Sequence, residues 1–270
     1  MKKKDNLIYK IILYGFMVFL ILPLIVIIIW SFTKKWPWPL ILPKEFGMRG
    51  WNYFFDPKSK SIGTLLYSIY LSMVVTFITI IISIPAAKAL GVYKFKGKKL
   101  VEILILAPIL IPTVAVAMGI HIYFLKLGLA NTFLGVVLVH LIPCIPYSVR
   151  ILKSVFEIIG ESMEMQAKVL GANSYQTFIN ITLPLIAPGI VSAGSMAFIV
   201  SFSQYFLTFL IGGGRVVTFS MLMFPFIKSG DRMMGSVYSI VFILTTMICL
   251  WIMERSIKKY YKSGNFFYLN

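Results

Sequence analysis

The chain has 270 residues, of which 59% are hydrophobic and 13% charged, with 26 Lys and Arg against nine Asp and Glu for a net charge of +17. A soluble domain carries about 25% charge, so this composition, with a mean hydropathy of +0.89, excludes one and places the chain in a bilayer. The basic excess would suggest nucleic acid in a soluble protein, but here it falls at the ends of apolar runs, where it suits anionic lipid headgroups and no nucleic acid is expected.

A helix crosses the hydrocarbon core with about 20 apolar residues, and six runs reach that length. The first spans about Ile8 to Phe32 behind Lys2, Lys3 and Lys4. It is too long for a secretory signal core and no small-x-small cleavage site follows, so it is expected to be a retained helix. A loop from Thr33 to Thr64 leads to the second run, about Leu65 to Tyr93, with Pro85 inside it. The third covers about Leu100 to Leu125 with Pro108 and Pro112, and the fourth about Thr132 to Leu152 with Pro143 and Pro146. The fifth covers about Leu183 to Ile211 with Pro184 and Pro188, and the sixth about Ser236 to Ile257. Proline inside a span frees carbonyls and permits bends that polar neighbours or water must compensate. The expected fold is therefore an all-α integral membrane protein with six transmembrane helices.

Cytoplasmic loops collect Lys and Arg. With the N-terminus inside, that side gathers the N-terminal lysines, Lys88 to Lys99 after the second span, Arg150, Lys153 and Lys168 after the fourth, and Arg255 to Lys262 at the end. Both termini are expected in the cytoplasm of a multi-pass protein of the cell's inner membrane.

The ingredients of catalysis are few. His121 and His140 lie in separate spans with no carboxylate beside them, and no HExxH, G-x-S-x-G or paired intramembrane carboxylates occur. Cys144 and Cys249 have no partner pattern and suit small buried hydrophobes. "GVYKFKGKK" (Gly91 to Lys99) resembles a phosphate-binding loop. It has five residues between its glycines where the motif needs four, and Lys99 where the metal-binding hydroxyl should stand. No catalytic residue, metal site or bound cofactor is expected.

Between the fourth and fifth spans, "EMQAKVLGANSYQTFINITLP" (Glu164 to Pro184) is neither span nor plain loop. Ser162 can cap a short helix with Glu164 in its first turn, where the helix dipole favours a carboxylate. Met163, Ala167 and Leu170 form an apolar stripe, and Gly171 suits the helix's end. Asn173 and Gln176 have the spacing of a capping box that starts a second helix, with Tyr175, Phe178 and Ile179 as its stripe, and Pro184 is tolerated in the first turn of the next span. One lysine among small residues and acids is not the broad basic face of a lipid-lying helix. A compact bent knob that docks in a protein cleft fits better.

That knob resembles the signature loop of type I ABC importer permeases, the inner-membrane components of binding-protein-dependent uptake systems. The family pattern is Glu-Ala-Ala, three residues, Gly, nine residues, Ile-x-Leu-Pro. Gly171, Ile181, Leu183 and Pro184 keep its spacing, Leu170 to Ala172 read "LGA", and Ala167 matches the second alanine. The first alanine's position holds Gln166 and the glutamate's position holds Met165, with Glu164 one residue early. The resemblance implies a permease core over 64–255, an N-terminal helix and outer loop over 1–63 and a cytoplasmic tail over 256–270, with coupling through 157–184. It implies two ABC ATPase subunits that carry ATP and Mg, a second and non-identical permease, and an extracytoplasmic solute-binding protein. This chain would hydrolyse nothing. Glu164, Ala167, Leu170, Gly171, Ala172, Ile181, Leu183 and Pro184 would couple it to the ATPase.

Polar residues inside a span point to a solute path, and Ser201, Gln204, Tyr205 and Thr208 cluster in the fifth. Gly189, Ala193, Ala197 and Ser201 recur every four residues there, a small-residue stripe for helix packing or a subunit interface. "FSQYFLTFLIGGG" resembles permeases of the spermidine and putrescine group, so a polyamine is the expected solute, although a polycation prefers carboxylates that the spans do not offer. Phosphonate, thiamine, iron and sugar are the alternatives. A secondary transporter or channel driven by an ion gradient is the competing class; it should show inverted repeats or intramembrane charges, and neither is found.

Overall fold

The computed structural model describes residues 2–37 and 39–263. The chain divides into two compact units: Met1–Gly63 with Leu222–Thr245, and Thr64–Met221 with Thr246–Asn270. This partition differs from the division by sequence, because Leu222–Thr245 groups with the N-terminal residues. Of the tail expected over 256–270, residues 264–270 lie outside the described residues.

Among the described residues five helices are long and apolar enough to cross a membrane, and a sixth span results if one bent pair is counted as a single crossing. In the first unit, α1 (Lys2–Ser31) leads into β1 (Thr33–Lys35), which pairs antiparallel with β2 (Glu45–Phe46). This small ribbon and α2 (Arg49–Phe55) occupy what the sequence presents as a long loop. In α2, Gly50 approaches so closely that a Cβ there would stand 2.9 Å from Val237. Arg49 grips Asp231 with both carboxylate oxygens at 2.6 and 2.7 Å, and the Tyr238 hydroxyl meets Ser61 at 2.6 Å.

The other helices are α3 (Ser61–Val92), α4 (Lys98–Leu110), α5 (Thr113–Lys126), α6 (Phe133–Ile159), α7 (Ser162–Val169), α8 (Ser174–Thr177), α9 (Leu183–Phe202), α10 (Phe206–Gly212), α11 (Phe219–Ser229) and α12 (Arg232–Ser263). Two expected spans are broken. The third becomes α4 and α5, which meet at 99°. Ile111, immediately before Pro112, is extended (φ −88°, ψ 134°), the conformation a following proline imposes. The fifth ends at Phe202 and resumes as α10 after residues 203–205, so it does not run unbroken to Ile211.

The second unit is organised on α6, the most buried of the spans. Val136, Val137 and Val139 pack with Leu71 and Val75 of α3 and Ile211 of α10, while Leu152 and Phe156 pack with Ala87, Leu90 and Ile186. Along α9 the small-residue stripe faces α6 rung by rung. A Cβ on Gly189 would stand 2.8 Å from Val155 and 3.3 Å from Leu152. Ser148 donates to the Ala193 carbonyl at 3.2 Å, Cys144 to that of Ala197 at 3.5 Å, and His140 meets Ser201 at 3.0 Å. Gly189, Ala193, Ala197 and Ser201 are all buried within this one chain, so the stripe is an internal seam whose surface is not open to a second subunit.

Because the Gly189 site is closed by the stiff, β-branched Val155, Gly189→Leu is expected to destabilise the protein by ~1–3 kcal/mol or more through overpacking. Thermal unfolding in detergent, followed by size-exclusion chromatography, checks this; a variant as stable as the parent means that the seam is not tight.

Candidate functional site

The bent segment between α6 and α9 has the form its sequence foretells, with two adjustments at the start. Glu161, not Ser162, is the cap residue of α7, and no side chain caps it. Glu164 does lie in the first turn. The helix closes at Gly171, whose φ of +88° is costly for any residue with a Cβ. The Ala172 amide bonds to the Ala167 carbonyl and the Gly171 amide to that of Lys168, both at 3.0 Å, the paired closure of a Schellman motif. Two residues later the capping box forms: the Gln176 amide donates to the Asn173 side chain at 2.8 Å, and the Asn173 amide to the Gln176 side chain at 3.0 Å. One residue of left-handed backbone between two well-capped helices makes a fixed elbow.

After α8 a π-helical turn, Phe178–Thr182, feeds α9. Its last bond runs from the Leu183 amide to the Phe178 carbonyl, and it immediately precedes Pro184, which has no N–H to continue an α-helical ladder. Ile181, Leu183 and Pro184 are half-buried there.

The elbow has two chemically distinct sides. Outward stand Met165 (54% exposed), Val169, Leu170 and Tyr175, with Gly171 between them. Inward, Ala167 is buried and Ala172 half-buried. Leu170 therefore does not continue the inward stripe expected of Met163 and Ala167; it faces out at 87% exposure. Tyr175 is likewise exposed while Phe178 and Ile179 are half-buried.

Glu164 also points inward. Its carboxylate accepts two bonds from Lys88 Nζ, at 2.7 and 2.8 Å, and one from Thr182 Oγ1 at 2.6 Å. Burial pushes its pKa up, but the bonds from Lys88 and Thr182 and the charges of Lys88 and Lys168 outweigh that and hold the carboxyl below its ordinary value. A depressed folded pKa means that the contribution of this group to stability is present at neutral pH and is lost only as the pH falls through that lowered value. By sequence alone Lys88 is only a basic residue near a span end, and Thr182 carries no signal. The signal that could have found Lys88 is its place inside the apolar run "PAAKAL", where a lone cation requires a partner.

A second constellation lies at the break of the fifth span. His140 is fully buried, with Nδ1 3.0 Å from Ser201 Oγ and Nε2 2.8 Å from Thr208 Oγ1. Thr208 in turn donates to the Gln204 carbonyl at 2.9 Å, and Ser201 Oγ lies 3.4 Å from Ser72 Oγ. Because Thr208 gives its proton to the Gln204 carbonyl, Nε2–H of the neutral ring donates to Thr208, and Nδ1 is the acceptor that shares the single Ser201 proton with Ser72. Ser220 closes the break from another side by donating to the Phe202 carbonyl at 2.7 Å. Of the four residues expected along a solute path, Ser201 and Thr208 are thus buried in the clamp, whereas Gln204 and Tyr205 are half-buried at the break itself. The Gln204 carboxamide makes no side-chain hydrogen bond among the described residues. His121 is half-buried and takes no part. Among the described residues no cluster of three or more His, Cys, Asp or Glu could hold a metal ion.

Residues 80–260 match the family described as binding-protein-dependent transport system inner membrane component. The trehalose/maltose transport system permease protein MalG of Thermococcus litoralis is 30% identical over 77% of this chain and 75% of its own. A permease protein of Salmonella paratyphi A named for 2-aminoethylphosphonate transport is 26% identical over 90% and 91%. The putrescine transport system permease protein PotI of Escherichia coli K12 is 26% identical over 82% and 79%. The fold is shared with a bacterial alginate ABC transporter solved in complex with an alginate pentasaccharide-bound periplasmic protein (TM-score 0.67, 16% identity, 93% of each chain). A spanning core built on one buried helix, with a capped elbow at Gly171, therefore has its explanation: the chain belongs to the binding-protein-dependent transport system inner membrane component family, and is a multi-pass permease subunit of an ABC importer.

Proposed function

We propose that the outward face of the elbow is the surface on which a separate ABC ATPase pushes, and that the broken fifth span forms part of the solute path. The observation that carries this reading is the pairing of a fixed bend at Gly171 with an exposed apolar face of Met165, Val169, Leu170 and Tyr175. On this reading the elbow and both termini are cytoplasmic, and ATP and Mg belong to two motor subunits. A second, non-identical permease completes the pore, and an extracytoplasmic binding protein delivers the solute. Differential binding of those partners to the inward- and outward-facing states drives the switch.

For the solute, the polyamine reading rests on the resemblance of Phe202 to Gly214 to the spermidine and putrescine group, and relatives named for sugar and phosphonate transport stand beside the putrescine one. The two groups at the break that the clamp does not bury, the amide of Gln204 and the phenol of Tyr205, carry no formal charge. They suit hydrogen bonding to hydroxyl or amine groups. Carboxylates for a polycation would come from the second permease or the binding protein.

Co-expression with a candidate ATPase, second permease and binding protein, then uptake of labelled putrescine, trehalose and 2-aminoethylphosphonate into proteoliposomes, tests the assignment. ATP-dependent uptake of one probe is expected. Uptake that needs only a proton or sodium gradient would instead identify a secondary transporter.

Gly171→Val should strain the bend by about 1–2 kcal/mol and reduce both ATPase co-purification and ATP-dependent uptake. Full coupling in that variant rules the elbow out as the contact. At the break, His140→Ala removes one hydrogen bond from each of two buried hydroxyls, at a cost of ~1–3 kcal/mol in all, and should lower the unfolding temperature. Gln204→Ala should change uptake of the transported probe while stability stays at the parent's level. The opposite pattern would place His140, not Gln204, in the path.

A further inference from the structure

The elbow contacts the spans through one charged joint. Lys88 is in the last third of α3, Glu164 in the first turn of α7, and Thr182 at the last residue before α9. Three separate elements thus meet on a single carboxylate, at 2.6 to 2.8 Å. The side chains are largely withdrawn from solvent, 24% exposed for Lys88 and 14% for Glu164. Charge-assisted bonds of this length are directional as well as strong. Few other constraints tie α7 down: apart from Ala167 its side chains are exposed or half-buried.

From this geometry we infer that Lys88, Glu164 and Thr182 are positioning residues that transmit the displacement of the elbow to α3 and α9, so that the motor's stroke moves two spans together. The inference rests on the reading that an ATPase engages the elbow, and it gives that reading a mechanical output. An outward push on α7 alone would rotate a short, lightly packed helix. Held through Glu164, the same push pulls on the Lys88 side chain of one span and the first turn of another. Thr182 adds a short lever, since it lies at the junction of the π turn and α9.

The test uses the full complex in nanodiscs, with Cys144 and Cys249 replaced by serine and a reporter introduced at the exposed break residue as Ser203→Cys. Labelling of that cysteine by a water-soluble maleimide is measured without nucleotide and after trapping with ATP and vanadate, beside the rate of ATP hydrolysis. In the unaltered joint the labelling rate should change severalfold on trapping. Lys88→Met should retain the ATPase in the complex and continue to hydrolyse ATP, yet lose most of that change. Lys88→Arg should keep it, and the exchanged pair Lys88→Glu with Glu164→Lys should restore it.

A full labelling change in Lys88→Met overturns the inference, as does an exchanged pair that restores unfolding temperature but not the labelling change, since that is the signature of a merely structural pair. If Lys88→Met does not assemble, Lys88→Arg and the exchanged pair decide by the same readout. Failure of the ATPase to co-purify with the unaltered chain sinks the reading beneath and the inference with it. Co-purification with no loss of response in the variants sinks the inference alone.

Discussion

The antiparallel seam between α6 and α9 is the constraint on which the second unit depends. Small residues at every fourth position of α9 let the two backbones approach, and each rung is then occupied from α6: Val155 and Leu152 at Gly189, Ser148 at Ala193, Cys144 at Ala197, His140 at Ser201. In lipid, helices gain little from hiding apolar surface from one another, and close contact with a few polar bonds does the work instead. The seam therefore makes one stiff body of two spans. The elbow is the chain segment that joins them, so its ends are held by the most tightly packed pair in the unit. A displacement there cannot be absorbed by slippage between α6 and α9.

The same seam explains how a helix can break within the membrane without an energetic failure. Where α9 stops at Phe202, backbone groups that would lack partners are taken up by Ser220, which bonds the Phe202 carbonyl, and Thr208, which bonds that of Gln204. His140 ties the last turn of α9 to the first of α10 from the opposite side of the seam. Irregular backbone at membrane depth is tolerated where protein satisfies it. The result is a break that is locally rigid and presents Gln204 and Tyr205, the two residues of the cluster that the clamp does not bury.

How much of this could be read from residues alone follows the range of the forces involved. Local chemistry was legible: Gly171 as the bend, Asn173 and Gln176 as a cap, Pro184 at the head of a span and the stripe from Gly189 to Ser201 all depend on neighbours within a turn or two. Breaks were less so. Pro108 and Pro112 signalled a bend, but a 99° bend rather than a kinked single span depends on what α5 finds to pack against, notably the core around Ala117. The break at 203–205 contains no proline or glycine and is set by His140, 61 residues away from Ser201, so periodicity gave no warning of it. Long-range partners such as Lys88 for Glu164, 76 residues apart, are beyond any window of local pattern.

The displaced glutamate shows why one residue matters on a helix. Successive side chains on an α-helix are about 100° apart, given 3.6 residues per turn. At Met165 a side chain faces out from α7; at Glu164 the same turn directs it toward Lys88 and Thr182. The family pattern's acid is thus not simply shifted along the chain but carried to the other side of the elbow, and what occupies its place outside is a flexible, polarisable thioether. Met adapts to irregular apolar surfaces, and with Val169, Leu170 and Tyr175 it forms an exposed face without formal charge, while Lys168, also exposed, stands beside it. A motor surface complementary to this elbow must then offer an apolar recess at its centre and keep any acidic group to the Lys168 side. The acid of this elbow thus lies beneath its surface, paired with Lys88 and Thr182.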